Sequence, residues 1–202
     1  TNTYLLPIET GFQPRMALGF SLTYLILLIG ELIGKDYKAE LTEIANTVSN
    51  SENYHQEADV LFHEIRSRIK SKFVVLADGI MEPIAVRFAQ QIQENAKHEC
   101  FVNVVPEMTH NVIETYYNTL DTVFFILNSY TNERVDMRFD FLRGLLEVEN
   151  HKVIALDFDE HNLLNTYELI HRLDWLSLLV ADERRVDSLN VPNIMSLKEY
   201  LS

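Results

Sequence analysis

Two side chains in the middle of the chain and one near its end have the types and settings that proton-transfer chemistry uses. Glu94 falls near the end of a stretch with helical spacing, just before the following loop. A carboxylate there can face a ligand, and partial loss of water raises its basicity toward that of a general base. The same residue also reads as a solvated helix-end glutamate paired with Lys97 or His98. His110 comes soon after an apolar run and stands near a new helical start. Imidazole moves protons well near neutral pH, and a histidine in that position also serves as a helix cap. Lys198 lies four residues before the last one and reads by itself as a solvated charge. A cation there could also stabilise an oxyanion. Arg15 precedes the most apolar stretch of the chain and suits bracing of a domain junction or contact with a ligand. Glu107 and Asn111 flank His110; the first could orient the imidazole, the second could cap a helix or touch a ligand.

These residues need elements to hold them. Apolar runs predict strands at Phe73–Ala77, Phe101–Val105, Thr122–Leu127 and Lys152–Leu156. Helical spacing predicts helices at Ile84–Lys97, His110–Asn118, Glu133–Glu149 and Asn162–Val180. Alternating strands and helices imply an α/β fold: a three-layer parallel sheet with helices on both faces. In such sheets ligands sit at the carboxyl ends of the strands, and both the Glu94 and the His110 stretches are expected near that edge. Upstream, Thr1 to Thr10 reads as an extended lead-in. Asp36–Val48 and Glu57–Lys70 carry helical apolar spacing, separated by a polar break at residues 49–53. Residues 1–70 are therefore expected as an N-terminal helical segment packing on an α/β domain of residues 71–202.

With 202 residues the chain can bury a sizeable core. A formal charge of −13 argues against a general nucleic-acid surface, which needs a basic footprint. An anionic small ligand is still allowed if a few cations converge. The single cysteine, Cys100, excludes an internal disulfide and a Cys-rich metal site, and reads as a packed thiol beside an apolar strand. That usage fits the cytoplasm. No G-x-G-x-x-G, Walker loop or H-E-x-x-H is present, so no nucleotide cofactor and no metal is expected. His55 and His63 have no acidic or cysteine partner at ligand spacing. The uncharged stretch Met16–Gly30 is shorter than the ~20 residues a bilayer crossing needs. No membrane partner is expected; Leu18–Ile29 reads as a buried helix that needs a cover, either a second copy or a missing domain.

Several motifs together carry a resemblance. Glu94-Asn95-Ala96-Lys97 is followed, sixteen residues from Glu94 to His110, by the P-E-x-x-H-N pattern of Pro106–Asn111. Upstream stands Gln13-Pro14-Arg15-Met16-Ala17-Leu18-Gly19-Phe20, and downstream Asp174-Trp175-Leu176-Ser177 and Leu197-Lys198-Glu199-Tyr200-Leu201. This set resembles the C-terminal half of the bifunctional phosphoglucose/phosphomannose isomerases, of the sugar isomerase (SIS) superfamily. The resemblance implies a sheet of about five strands, completed near Asn193-Ile194, with Ser196 capping a last helical turn. It implies aldose–ketose isomerisation of hexose 6-phosphates, through an enediolate, without cofactor. Glu94 then takes the C2 proton and returns it to C1, and His110 opens the sugar ring, in such enzymes sometimes across a subunit boundary. Lys198 supports the developing charge; Arg15, Glu107 and Asn111 fall at or near the sugar.

The chain departs from the family in two places. Family members often read N-H-N-E where this chain has Thr109-His110-Asn111-Val112. The full enzymes also carry a preceding SIS domain with a Gly- and Ser-rich phosphate loop. Here the turn after the first strand reads Asp78-Gly79-Ile80-Met81-Glu82. The expected partners are therefore a hexose phosphate and either a second copy or a missing N-terminal SIS domain. The alternative is a phosphosugar-binding or dimerisation module without catalysis.

Overall fold

The computed structural model of the protein describes residues 5–117, 120–156 and 160–202. The chain divides into two compact units, Thr1–Asn50 and Ser51–Ser202.

In the first unit a 3-10 turn at Pro14–Met16 leads into α1 (Leu18–Ile33), which is followed by α2 (Lys38–Val48). The α1–α2 turn closes tightly over Gly30, where an added Cβ would lie 2.5 Å from the Lys35 carbonyl oxygen. The expectation of a buried apolar helix needs correction. Only Gly30 of α1 is buried, while Leu25, Leu28, Ile29, Leu32 and Ile33 are exposed. A helix apolar all round cannot hide every face against a single neighbour. No helix among the described residues is long and apolar enough to cross a membrane.

The second unit runs α3 (Ser51–Ile65), β1 (Lys72–Asp78), α4 (Glu82–Ala96), β2 (Cys100–Val105), β3 (Thr122–Leu127), α5 (Glu133–Val148), β4 (Lys152–Ala155), α6 (Leu163–Arg184) and α7 (Pro192–Leu201). All strand pairs are parallel, in the order β2-β1-β3-β4. Both faces of the central strands are buried, which is why they read as unbroken apolar runs. On one face Phe73, Val75 and Ala77 meet Phe88, Ile92 and Leu173 beneath α3, α4 and α6. On the other, Val74, Leu76, Phe124 and Ile126 meet Phe139, Leu142 and Leu146 of α5. The three-layer α/β expectation holds. α3 belongs to this unit because Ala58, Phe62 and Ile65 enter the first of these clusters.

Two expected elements come out differently. The helix expected at His110–Asn118 is a pair of 3-10 turns, Glu107–His110 and Val112–Thr115; Asn118 lies outside the described residues. The backbone leaves helical space at Asn111 (φ −149°, ψ −63°), and the Asn111 carboxamide oxygen accepts from the Val112 N–H as a local cap. The fifth strand expected near Asn193-Ile194 is α7, so the sheet has four strands among the described residues. Pro192 at the first helical position favours that outcome, because its ring presets the helical φ. Ser196 therefore sits inside a helix rather than capping one.

Candidate functional site

A crossover helix must run back along the strands it joins, so α4 begins at the carboxyl edge of the sheet and ends at the amino edge. Its last turn carries Glu94, half-buried, and leads directly to Cys100, which pairs with Phe73 at the start of β1. This turn is held from several sides. Asn95 is buried, and its Nδ2 donates to Ser177 Oγ on α6 at 2.9 Å. Ser177 Oγ in turn donates to the Asp174 carbonyl at 2.7 Å. Lys97 closes the helix in the left-handed region (φ 51°), and its Nζ donates to the Glu94 and Asp187 carbonyls. Arg184 Nε and Nη2 donate to the Ala96 and Lys97 carbonyls, capping the last turn with a cation where the helix dipole favours one. Gln93 Nε2 donates to the Cys100 carbonyl at 2.7 Å. The motif Glu94-Asn95-Ala96-Lys97 is thus a helix end whose three later residues fix the first.

His110 lies beyond the other end of β2, at the carboxyl edge. It is exposed, in a turn that also holds Glu107. A 3-10 turn repeats every three residues, so Glu107 and His110 fall on one side of it. Asn111 spends its side-chain oxygen on the Val112 N–H, which answers to the capping role. The six residues of β2 separate the two edges of the sheet by roughly 17 Å. The expectation that both stretches lie at the carboxyl edge therefore fails for Glu94. One copy of the chain does not bring Glu94 and His110 together.

Lys198 is on α7, a helix with no buried residue. It shares a face with Ile194, Leu197 and Leu201, spaced as i, i+3, i+4 and i+7, and all four are exposed. Arg15 belongs to the first unit, half-buried in its 3-10 turn.

Sequence reasoning missed the part played by α6. Asp174 accepts from Arg87 Nη2 at 2.6 Å and from Gln91 Nε2 at 3.0 Å, tying α6 to α4 two turns and one turn before Glu94. The signal was present in Asp174-Trp175-Leu176-Ser177, but nothing local says what its polar residues grip. Burial pushes the Cys100 thiol up to about 12, as fits a packed and unreactive group. It also lowers the pKa of His98, whose Nε2 lies 2.7 Å from the Ser71 carbonyl oxygen and so carries the proton. No group of three or more His, Cys, Asp or Glu suited to a metal occurs among the described residues.

Residues 54–201 match the family described as bacterial phospho-glucose isomerase C-terminal SIS domain. The chain belongs to this family. The chain is 30% identical to the bifunctional phosphoglucose/phosphomannose isomerase of Aquifex aeolicus, over 96% of the chain and 60% of that relative. It is 26% identical to the enzyme of the same description from Caldicellulosiruptor bescii, over 98% of the chain and 62% of that relative. Among solved structures, a glucose-6-phosphate isomerase like protein from Thermus thermophilus shares the SIS fold at a TM-score of 0.62. It is 14% identical, with 88% of this chain and 63% of that chain covered. The chain thus spans about three-fifths of the curated relatives it matches.

Proposed function

We propose that the chain is the C-terminal half of a hexose 6-phosphate isomerase, interconverting glucose 6-phosphate or mannose 6-phosphate with fructose 6-phosphate. The observation that carries this reading is the built end of α4, where Asn95, Lys97, Ser177 and Arg184 fix the turn that bears Glu94. An aldose–ketose isomerase needs one base held still enough to take a proton from C2 and hand it to C1. Glu94 is that base; the proton it removes is the one it returns, while the hydroxyl proton moves between O2 and O1, so nothing is consumed. His110 moves the proton between ring oxygen and C1 hydroxyl when the sugar opens.

Because α4 delivers Glu94 to one edge of the sheet and β2 delivers His110 to the other, each site takes the histidine of a second copy. Lys198 steadies the enediolate oxygen once the open face of α7 is covered, by a preceding SIS domain such as the longer relatives leave room for. Arg15, Glu107 and Asn111 act around the sugar, Glu107 by orienting His110. We propose the cytoplasm for this reaction, with which a chain holding a single cysteine is compatible.

Fructose 6-phosphate formation from each aldose checks the reading. The chain joined to a preceding SIS domain is expected to turn over both, the chain alone weakly or not at all, and Glu94→Gln to cost the joined protein about 10²- to 10⁴-fold. Unchanged turnover in that variant removes Glu94 from the chemistry. A second reading, a phosphosugar-binding module without catalysis, draws on Val112 standing where relatives often carry an acid. Saturable calorimetric binding of glucose 6-phosphate with no turnover supports it, and absence of both leaves a structural role alone.

A further inference from the structure

Strand order reverses between β1 and β3, and there an open parallel sheet forms the crevice that commonly takes an anionic ligand. The donors such a ligand needs are present. The Ile80 and Met81 backbone N–H groups converge from the loop after β1, and the Ser129 N–H and hydroxyl from the loop after β3. Thr131 Oγ1 lies 2.9 Å from Ser129 Oγ and adds a second hydroxyl. Three backbone N–H groups and a hydroxyl on one point make a concavity for a phosphate or similar oxyanion.

The point they meet is the chain's own Asp78 carboxylate. Asp78 is the last residue of β1 and is buried to 6% exposure. Its Oδ1 accepts from Ile80 N at 3.0 Å and Met81 N at 2.8 Å. Its Oδ2 accepts from Ser129 N at 2.8 Å and from Ser129 Oγ in a shorter bond. Both oxygens are engaged, and a second anion in the same crevice would meet a like charge at close range. We propose that Asp78 is the built-in occupant of an oxyanion cradle and bars phosphate monoesters from the switch point of this sheet. The phosphoryl group of any sugar phosphate that the protein handles is then held elsewhere, and Asp78 sets where the substrate cannot sit.

The test uses inorganic phosphate and thermal unfolding of the chain, with chloride at matched ionic strength to remove general salt effects. Asp78→Gly empties the cradle and keeps its donors. Its Tm should climb saturably by a few degrees as phosphate reaches about 100 times its Kd. Wild type and Asp78→Asn, which keeps the volume filled, should lack this added response. Adding Ser129→Ala to Asp78→Gly should abolish the response. Where Asp78→Gly does not fold without phosphate, its folding on phosphate addition supports the proposal, and Asp78→Ser repeats the titration with a smaller side chain. A response in both small variants no larger than that of wild type overturns it. Turnover of glucose 6-phosphate by wild type is read separately, so the isomerase reading can fail while the cradle stands, and the reverse.

Discussion

Asn95 Nδ2 donates to Ser177 Oγ across 2.9 Å, and the two side chains are 3% and 0% exposed. They come from two of the motifs that carry the resemblance, one on α4 and one on α6, 82 positions apart. The bond therefore joins sequence signals that look independent, and it anchors the turn that presents Glu94. Ser177→Ala leaves a buried amide without this acceptor and is expected to cost about 1–3 kcal/mol in chemical denaturation. If the bond positions Glu94, kcat falls while KM holds, and Ser177→Thr recovers part of the loss. Loss of stability with kcat intact would reduce the bond to packing.

Arg184 caps two carbonyls of the same turn with one guanidinium. Arg184→Ala is expected to speed hydrogen exchange at Glu94 to His98 ahead of the rest of α4. Lysine, which cannot reproduce the planar fork, should restore only part of the protection. Uniform protection along α4 in Arg184→Ala would show that the cap is idle.

Glu94 and His110 lie toward opposite edges of the sheet, so sites shared between two copies predict complementation. Glu94→Gln and His110→Asn should each be inactive alone. Mixed, unfolded and refolded one to one, they should regain about a quarter of wild-type turnover, since half of the random dimers carry one intact site of two. A mixture as inactive as its components excludes the shared arrangement.

Three histidines, His98, His151 and His171, have pKa values lowered chiefly by burial. Each binds its proton more readily when unfolded, so acid favours the unfolded chain. Their contribution is whole above the ordinary value of 6.5 and fades as pH falls below it toward the folded values. Urea midpoints should drop between pH 7.5 and 5.5, and His98→Gln should flatten part of that slope. A slope unchanged in His98→Gln would place the effect on other groups.

Cys100 is 1% exposed and its thiol is raised to about 12. A thiol reagent at neutral pH should label it only at the rate of unfolding, and in full in denaturant. Rapid labelling of the folded chain would contradict the packing around β2.

The sheet and its main crossover were legible because buried parallel strands leave unbroken apolar runs. Phe73–Ala77 and Phe101–Val105 fall within one residue of β1 and β2 at either end. α7 was not legible, since Ile194, Met195 and Leu197 suggest burial that the chain does not supply. The residues Glu94 and His110 were legible as types, but their placement was not. Sixteen positions look close in the linear order, yet they enclose a helix end and a whole strand, which carry them toward opposite rims. The grip of Asp78 was equally hidden, because half its donors come from Ser129, 51 positions downstream.

α7 offers Ile194, Leu197 and Leu201 to water on the same side as an ammonium. Whatever seats against that side dehydrates oil and charge in a single step, and an unanswered cation makes such dehydration costly. A surface bearing its own oxygen acceptors would dock there at least cost, and under the proposed function assembly and the placing of Lys198 would be one event rather than two.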